Sequence, residues 1–432
     1  MGKTREKIAL LGNMNNINFV LLRYFRDLGF DAHLFLLSND GRGTLEHFHP
    51  MADSVDYAKW KPFVHRLSFA NDTAASLNRF IYLIYILAFI FRPSFREKVK
   101  SVFRQKRELT CIFNSFDYVI GSGIMPAMTA RYGYRLDIFY PYGNGVEFLG
   151  SKAVLDMLSS KNPFKKAIAK NVKKLQAKGI QNSRNVVNTE IGVTEHVLMG
   201  LGVNPLKLFI PMIYSEKTWP KCNIENLEIL SVSDRVFLYH CRHHWDLPER
   251  DVIAHSKHND WVFNSLREVI DLEPSIQVKL LCCEYGKDVE VSKRLCKELE
   301  IEEHVIWLPK LARNDIKSLM PLVNIIIGEF YEQKHMMWGG TAWEAMAASK
   351  PLIHGFNYED DEFQQQLKVQ APPFHKVRNS NSLTLQMLDL VRSNEQQLAA
   401  YGRENFNWFH AHNGKTAARE WIDLLVGDHE TY

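Results

Sequence analysis

Short apolar runs alternate with amphipathic segments along most of this 432-residue chain. KIALLG at 7–12 is typical of a buried strand, NFVLLRYFRDLG at 18–29 of a helix closed by glycine, and DAHLFLL at 31–37 of a second strand. Strands and helices in this order predict a parallel sheet covered by helices. Further strand-like runs lie at 116–123, 135–143 and 185–190.

A second series of alternating elements follows a proline-punctuated stretch at 201–220, which is typical of a hinge. Its strand-like runs are VFLYHCR, QVKLLCC, HVIWLP, NIIIGEF and PLIHGF, with helix-like runs between them. The predicted fold class is therefore α/β, with two Rossmann-like, doubly wound domains. We expect domains at 1–213 and 214–405, and a C-terminal helix within 406–432 that crosses back to the first domain.

Positive charge is concentrated in the first half of the chain. Residues 1–213 hold 29 Lys and Arg against 16 Asp and Glu, whereas residues 214–432 hold 24 against 33. An apolar run at 80–91 precedes a basic segment, and 162–184 predicts a basic amphipathic helix that includes Lys165–Lys178. The apolar run falls short of the roughly 20 residues that span a bilayer. It fits either a buried core helix or a helix dipping into an anionic membrane face, and the basic helix fits a solvated face equally well.

Composition excludes several other classes of protein. The six cysteines form no CxxC pair, so we expect reduced thiols and a cytoplasmic setting, on the inner face of the membrane. The N-terminus lacks the pattern of a secretory signal. The basic segments lack interleaved aromatic residues, so no nucleic-acid partner is expected. Histidines at 240, 243, 244, 255 and 258 do not have a zinc-site spacing, so we predict neither a metal nor a cofactor.

Three loops of the second series follow predicted strands, where open parallel sheets bind their ligands. The first holds Arg242 at a strand end and Lys257 before a helix, a pair of cations that suits a departing diphosphate, although both are also common surface residues. The second holds Gly286 after a strand, a turn that lets the backbone approach a ligand, but a single glycine is weak evidence for a site. In the third, Gly339 and Gly340 open a helix that Thr341 is expected to cap, with Glu344 one turn later. A carboxylate there suits the two hydroxyls of a ribose.

Together, Arg242, Lys257-x-x-Asp260, HVIWLPKL at 304–311 and GGTAWEAMAASKPLI at 339–353 resemble the retaining GT-B glycosyltransferases of the "group 1" type. The resemblance implies two Rossmann-like domains facing across a cleft, and transfer of a sugar without an obligatory metal from a nucleotide sugar of UDP or GDP type. It implies that the N-terminal domain binds the acceptor and the C-terminal domain the donor. The acceptor would be a lipid-linked or other glycan at the cytoplasmic membrane face, in the synthesis of a polymer such as lipopolysaccharide or capsule.

The resemblance also assigns residues. Arg242 and Lys257 would hold the donor diphosphate as catalytic cations, and Glu344 the ribose. The remaining donor-binding candidates are Gly12, Asn13, Leu308, Lys310, Leu311, Gly339, Gly340 and Thr341. Acceptor-side candidates come from PYGNGVE: Tyr142, Asn144 and Glu147.

The sequence departs from the family at the first acidic residue of its Glu-x7-Glu pair. Met336 occupies that position, and Glu332 or His335 of the same loop is the candidate replacement. This departure leaves two alternatives to the transferase open. One is a nucleotide-sugar 2-epimerase on the same fold, and the other is a degenerate transferase that only binds its partner.

Overall fold

The computed structural model describes residues 5–37, 50–53, 56–68, 93–141, 146, 158–189, 193–215, 220–225, 227–248, 256–332 and 338–427. The apolar run at 80–91 lies outside these residues, as do Tyr142, Asn144, Glu147 and His335. The chain forms two compact units: Met1–Tyr214 with Lys415–Tyr432, and Ser215–Gly414.

The first unit is built on a six-stranded parallel sheet of order β3-β2-β1-β4-β5-β6. Its strands are β1 Lys7–Leu11, β2 Asp31–Leu36, β3 Val64–Arg66, β4 Tyr118–Ser122, β5 Ile138–Tyr140 and β6 Asn185–Val186. Its helices before residue 214 are α1 Ile17–Asp27, α2 Tyr57–Trp60, α3 Pro93–Ser115, α4 Met125–Arg131, α5 Pro163–Asn182 and α6 Val193–Gly200. Residues 8–11 of β1 are completely buried, because helices cover both faces of a parallel sheet.

The second unit repeats this architecture with the sheet order β12-β11-β10-β7-β8-β9, again all parallel. Its strands are β7 Arg235–Tyr239, β8 Val278–Cys283, β9 Val305–Leu308, β10 Ile325–Ile327, β11 Leu352–Gly355 and β12 His375–Val377. Its helices are α7 Asn259–Leu272, α8 Val289–Glu298, α9 Arg313–Leu319, α10 Gly340–Ala347, α11 Asp360–Leu367, α12 Ser380–Arg392 and α13 Glu395–His412. Cys282 and Cys283 are free thiols buried in β8.

In each sheet, the direction in which successive strands are added reverses once, although all the strands are parallel. The chain moves outward from β1 to β3 and then returns to β4 beside β1, and it moves from β7 to β9 before returning to β10 beside β7. Ligands of open α/β sheets bind at such switch points, outside the carboxyl ends of the two central strands. The predicted fold class, α/β with two Rossmann-like parallel sheets, is confirmed.

The last helix, α14 Gly414–Val426, packs on the first unit. The Trp421 indole N–H donates to the Phe209 carbonyl (3.0 Å), and its ring lies 5.3 Å from that of Tyr140. The division between the units falls after Gly414. Residues 406–412, which the sequence analysis placed in the crossing segment, instead complete α13 of the second unit. This helix packs closely on the second unit, because a Cβ added at its Gly402 would lie 2.1 Å from the Ser349 carbonyl oxygen.

Candidate functional site

The carboxyl ends of β7 and β10 bring together the loop 240–244, the loop 328–332 and the first turns of α10. Two hydrogen bonds join the end of β7 to α10: Cys241 Sγ lies 3.6 Å from Thr341 Oγ1, and His240 Nε2 lies 2.8 Å from Glu344 Oε2. Both pairs are buried. The sequence-predicted helix start therefore lies at the switch point of the second sheet.

Glu329 is the centre of this region, although the sequence analysis did not select it. The Lys257 ammonium donates to Glu329 Oε2 at 2.7 Å. A Cβ added at Gly339 would lie 3.1 Å from the same oxygen. The carboxylate oxygen that bonds the predicted lysine thus lies close to the predicted glycine turn, which places Lys257 and Gly339 on either side of Glu329.

The charge of Glu329 is maintained by its neighbours. Burial raises the pKa of a carboxyl group, but the ammonium of Lys257, followed by His354 and Arg242, holds the pKa of Glu329 below its ordinary value. Arg242 therefore acts electrostatically on the same carboxylate that Lys257 contacts. Its side chain is exposed, and its guanidinium has no hydrogen bond or ion pair within the described part of the chain.

The two described ends of the loop that carries these cations are held together by Asn259 at the start of α7. The Asn259 side chain accepts from the His244 backbone N–H (2.9 Å) and donates to the Arg242 carbonyl (3.3 Å). The Lys257 N–H donates to the His244 carbonyl (2.8 Å). His258, with φ of 45°, makes the left-handed turn into the helix. These hydrogen bonds thus hold the backbone at Arg242–His244 next to the backbone at Lys257.

Glu344 forms a second acid–base cluster on the other side of the glycine pair. Its Oε1 lies 2.9 Å from Arg313 Nε, and a Cβ at Gly340 would lie 3.7 Å from Arg313 Nη2. Burial alone would raise the pKa of Glu344, but the His240 hydrogen bond and the Arg313 charge lower it. Glu344 is therefore held as an ionised carboxylate whose two oxygens each contact a basic side chain.

The structure corrects two of the sequence predictions. Thr341 does not cap α10: Gly339 is the N-cap residue, and Thr341 lies inside the helix with its hydroxyl beside Cys241. Gly286 has φ of +126°, and a Cβ there would lie 2.2 Å from the His243 carbonyl oxygen. The close approach at Gly286 is thus to another loop of the protein rather than to open space for a ligand.

The remaining second-unit candidates lie around these clusters. Glu332 Oε1 is 3.8 Å from His258 Nε2, and the Glu332 side chain is 43% exposed. Leu308 ends β9 as a buried residue and Leu311 is half-buried. Lys310 is exposed, with its ammonium 5.2 Å from the ring centre of Tyr285. Lys310 and Leu311 follow β9, and two strands, β7 and β8, lie between β9 and β10 in the sheet.

Gly12 and Asn13 belong to the first unit, where they follow β1 at its switch point. Gly12 has φ of +77°, and a Cβ there would meet no atom of the described residues within 4 Å. Asn13 is buried, accepts from the Phe19 N–H (3.0 Å) and donates to Asn16 Oδ1 (2.6 Å). Within the described residues, the backbone of Gly12 is therefore uncovered on its Cβ side, next to an Asn13 side chain held by hydrogen bonds.

An aromatic cluster packs around Trp338, the residue directly before the glycine turn. The ring of Trp338 lies within 6 Å of the rings of Trp343, Phe363, Phe374 and Trp408. Because Trp338 precedes Gly339 directly, this packing fixes where the turn begins. The turn thus rests on a rigid hydrophobic base, which suits a preorganised site.

Two features are absent from the described residues. They contain no group of three or more His, Cys, Asp or Glu side chains placed to hold a metal ion. Within the same residues, no helix is long and apolar enough to cross a membrane.

Comparison with known proteins gives the fold. No protein-family model matches the sequence, and no curated protein matches it either. Solved structures match over nearly the full length. Sucrose-phosphate synthase from Thermosynechococcus elongatus is 14% identical, with a TM-score of 0.57 over 99% of this chain and 100% of that one.

Two further solved structures match over nearly the full length. A variant of S. aureus TarM in complex with Fondaparinux, alpha-GlcNAc-glycerol and UDP is 10% identical, with a TM-score of 0.56 over 98% of this chain and 100% of that one. A putative UDP-N-acetylglucosamine 2-epimerase from Listeria monocytogenes is 11% identical, with a TM-score of 0.55 over 99% and 98%. At these identities the likeness shows the fold alone, which is GT-B.

Proposed function

We propose that the protein is a glycosyltransferase that moves a sugar from a UDP- or GDP-type nucleotide sugar to a glycan or lipid-linked acceptor. The observation that carries this proposal is the gathering of Lys257, Arg242 and the glycine-led start of α10 around Glu329. Two cations and a helix N-terminus at a switch point favour a ligand with clustered negative charge. UDP, which is present in the complex of the TarM variant of this fold, is such a ligand.

In the proposed reaction, the bond between the sugar C1 and the diphosphate oxygen breaks, and a bond from C1 to the acceptor oxygen forms on the same face. Negative charge develops on the leaving diphosphate, where the Arg242 fork and the Lys257 ammonium stabilise it. The acceptor hydroxyl gives its proton to the departing phosphate oxygen. The chain's own contribution is therefore charge stabilisation and orientation, and it needs no separate protein base.

Glu344 is assigned to the ribose in this proposal. Its carboxylate is ionised and pre-oriented by His240 and Arg313, and each oxygen keeps acceptor capacity beyond the contact it already makes. Leu308 at the end of β9, with Lys310 and Leu311 after it, is assigned to the base. Glu332, the exposed carboxylate of the loop before α10, is assigned to the sugar side.

Thermal-shift titration with UDP, GDP, CMP and dTDP tests donor binding, because a ligand that binds the native state raises Tm. We expect one diphosphate nucleotide to raise Tm clearly in the wild type, and Arg242→Ala to abolish that shift. Arg294→Ala is the control, since it removes an equally exposed arginine from α8. Equal shifts in all three proteins would remove Arg242 from the site.

Positive charge on the first unit supports a membrane-associated acceptor. Helix α5 buries Ile168 and Val172 while exposing lysines, and residues 161–182 contain no acidic residue. Lysines 165, 166, 170, 174 and 178 are exposed there. Helix α3 adds the exposed residues Phe103, Arg104, Lys106 and Arg107.

Both basic helices are anchored beside α4. Gln176 of α5 accepts from the Ala127 N–H (3.0 Å), and Tyr132, just after α4, donates to Gln105 of α3 (2.8 Å). Two basic helices that both contact α4 or the residue after it, one of them with an exposed aromatic residue, are suited to anionic headgroups. We therefore propose that α3 and α5 dock the protein on the inner face of the membrane.

Vesicle flotation tests the docking. With anionic vesicles we expect the wild type to float, and a variant with glutamine at positions 165, 166, 170 and 174 to stay in the soluble fraction. The control variant removes four exposed cations of the second unit, Lys287, Arg294, Lys297 and Arg403, and should float like the wild type. Equal behaviour of the two variants would contradict the docking surface.

An epimerase is the second candidate, because a putative 2-epimerase shares the fold. An epimerase needs an acid and a base on the sugar, whereas Lys257 is already paired with Glu329, and Glu344 with His240 and Arg313. Product analysis without an acceptor separates the two activities. Conversion of the nucleotide sugar itself would favour the epimerase, and nucleotide binding with neither reaction would favour a degenerate transferase that only binds.

A further inference from the structure

We infer that Glu329 sets the affinity of the site for the nucleoside diphosphate, by competing with its phosphates for the ammonium of Lys257. This inference rests on the proposed function. It assigns a role to a carboxylate that lies three residues before Glu332, the candidate sugar-side carboxylate. Glu329 is an affinity-determining residue in this account and need not touch the sugar.

The backbone holds Glu329 in a fixed position. Its carbonyl accepts from the Gly355 N–H (3.0 Å), and a Cβ at Gly355 would lie 2.9 Å from that oxygen. At Gly328, one residue earlier, a Cβ would lie 2.1 Å from the His354 ring. Glycines are therefore required on both sides of this contact between β10 and β11. The contact fixes the backbone position from which the Glu329 side chain extends.

The Lys257 ammonium is held between this carboxylate and an aromatic ring. Glu329 Oε2 lies 2.7 Å from Nζ, and the ring centre of Tyr331 lies 5.0 Å from it. An ammonium group has three N–H donors, so the contact with Glu329 leaves donors for a phosphate. The Lys257 side chain is 15% exposed, and the site is therefore partly open to solvent on this side.

A carboxylate in this place has a definite electrostatic effect on a bound anion. A phosphate oxygen that bonds the same ammonium lies roughly 4.5–5 Å from the Glu329 oxygen, because two hydrogen bonds of about 2.8 Å diverge at the tetrahedral angle of the ammonium nitrogen. Like charges at that distance repel, so Glu329 weakens phosphate binding while it neutralises Lys257 in the empty site. The consequence for a transferase is faster release of its nucleoside diphosphate product.

Glu329→Gln tests this effect, because glutamine keeps the shape and an oxygen acceptor for Lys257 but removes the charge. We expect calorimetric titration with UDP or GDP, whichever the wild type binds, to show about a tenfold gain in affinity. Affinity for the uncharged nucleoside should not change. Glu303→Gln is the matched control, and its substitution should leave the affinity unchanged. Glu303 is 83% exposed and precedes the edge strand β9, so it lies at the amino ends of the strands, whereas Glu329 lies at the carboxyl ends.

A second comparison keeps the test independent of folding. Lys257→Met/Glu329→Gln should bind the diphosphate more tightly than Lys257→Met, because the bare carboxylate is removed. Unchanged or weaker binding by Glu329→Gln, with a wild type that binds, would overturn the inference and leave the proposed function intact. A sugar-contacting or merely structural Glu329 would give that result. A wild type that binds no nucleoside diphosphate would overturn both.

Discussion

Replacing Lys257 by methionine should destabilise the second unit, because it leaves Glu329 without its cation. The two side chains are 15% and 19% exposed, and the Nζ–Oε2 distance is 2.7 Å. Removal of one partner from a fully buried ion pair costs about 3–5 kcal/mol. Partial exposure admits water to the carboxylate, so we expect a loss of about 2 kcal/mol in the free energy of unfolding at pH 7.

The loss should depend on pH in a defined direction. In the wild type, Lys257 holds the pKa of Glu329 below its ordinary value, so this stabilisation is complete above about pH 4.3, the pKa of an unfolded Glu, and is lost as the pH falls through the folded pKa. In Lys257→Met, burial without the cation favours the neutral acid, and that variant gains relative stability as the pH falls. The difference between the two proteins should therefore shrink from pH 7 to pH 4.

Urea unfolding followed by tryptophan fluorescence measures this difference. The double variant Lys257→Met/Glu329→Gln should recover at least half of the lost stability, since no buried charge remains. Lys297→Met, which removes an exposed lysine from α8, serves as the control. A pH-independent loss, or a double variant no more stable than Lys257→Met, would refute the ion-pair reasoning.

Two further predictions concern the glycine turn and Glu344. Gly339→Ala places a Cβ 3.1 Å from Glu329 Oε2 and should weaken nucleoside diphosphate binding about tenfold. Gly340→Ala should bind normally, because the nearest atom to its Cβ, on Arg313, is 3.7 Å away. Equal affinities of the two variants by calorimetry would contradict this difference. Glu344→Gln removes the charge between Arg313 and His240 and should cost about 2 kcal/mol in urea unfolding, and a loss below about 0.5 kcal/mol would show that the cluster is not coupled.

The alternation of apolar strands and amphipathic helices was sufficient to predict the fold. A fully buried parallel strand needs a continuous apolar run, and β1, β8 and β10 each have one. The short edge strands β3 and β12, with three residues each, were not predicted because their sequences, VHR and HKV, are too polar and too short to give a pattern. A sheet edge tolerates such residues because one side of the strand has no partner to match.

The candidate site was predicted only in part. The glycine pair and the two cations have local signals: a helix start, a strand end, a residue before a helix. Glu329 also follows a strand directly, in NIIIGE, and the same strand-end rule would have selected it. The pairing of Glu344 with His240 and Arg313 joins positions 104 and 31 residues apart, and a single sequence carries no signal for such contacts.

Hydrogen–deuterium exchange with and without saturating nucleoside diphosphate tests the central claim most directly, because it locates the ligand along the chain. The account predicts slower exchange at the backbone amides of 339–345 and 256–260, where the start of α10 and the Lys257 turn would meet the phosphates. It also predicts loss of that protection in Arg242→Ala at the same ligand concentration. Protection that avoids both segments, or that persists unchanged in Arg242→Ala, would contradict the account.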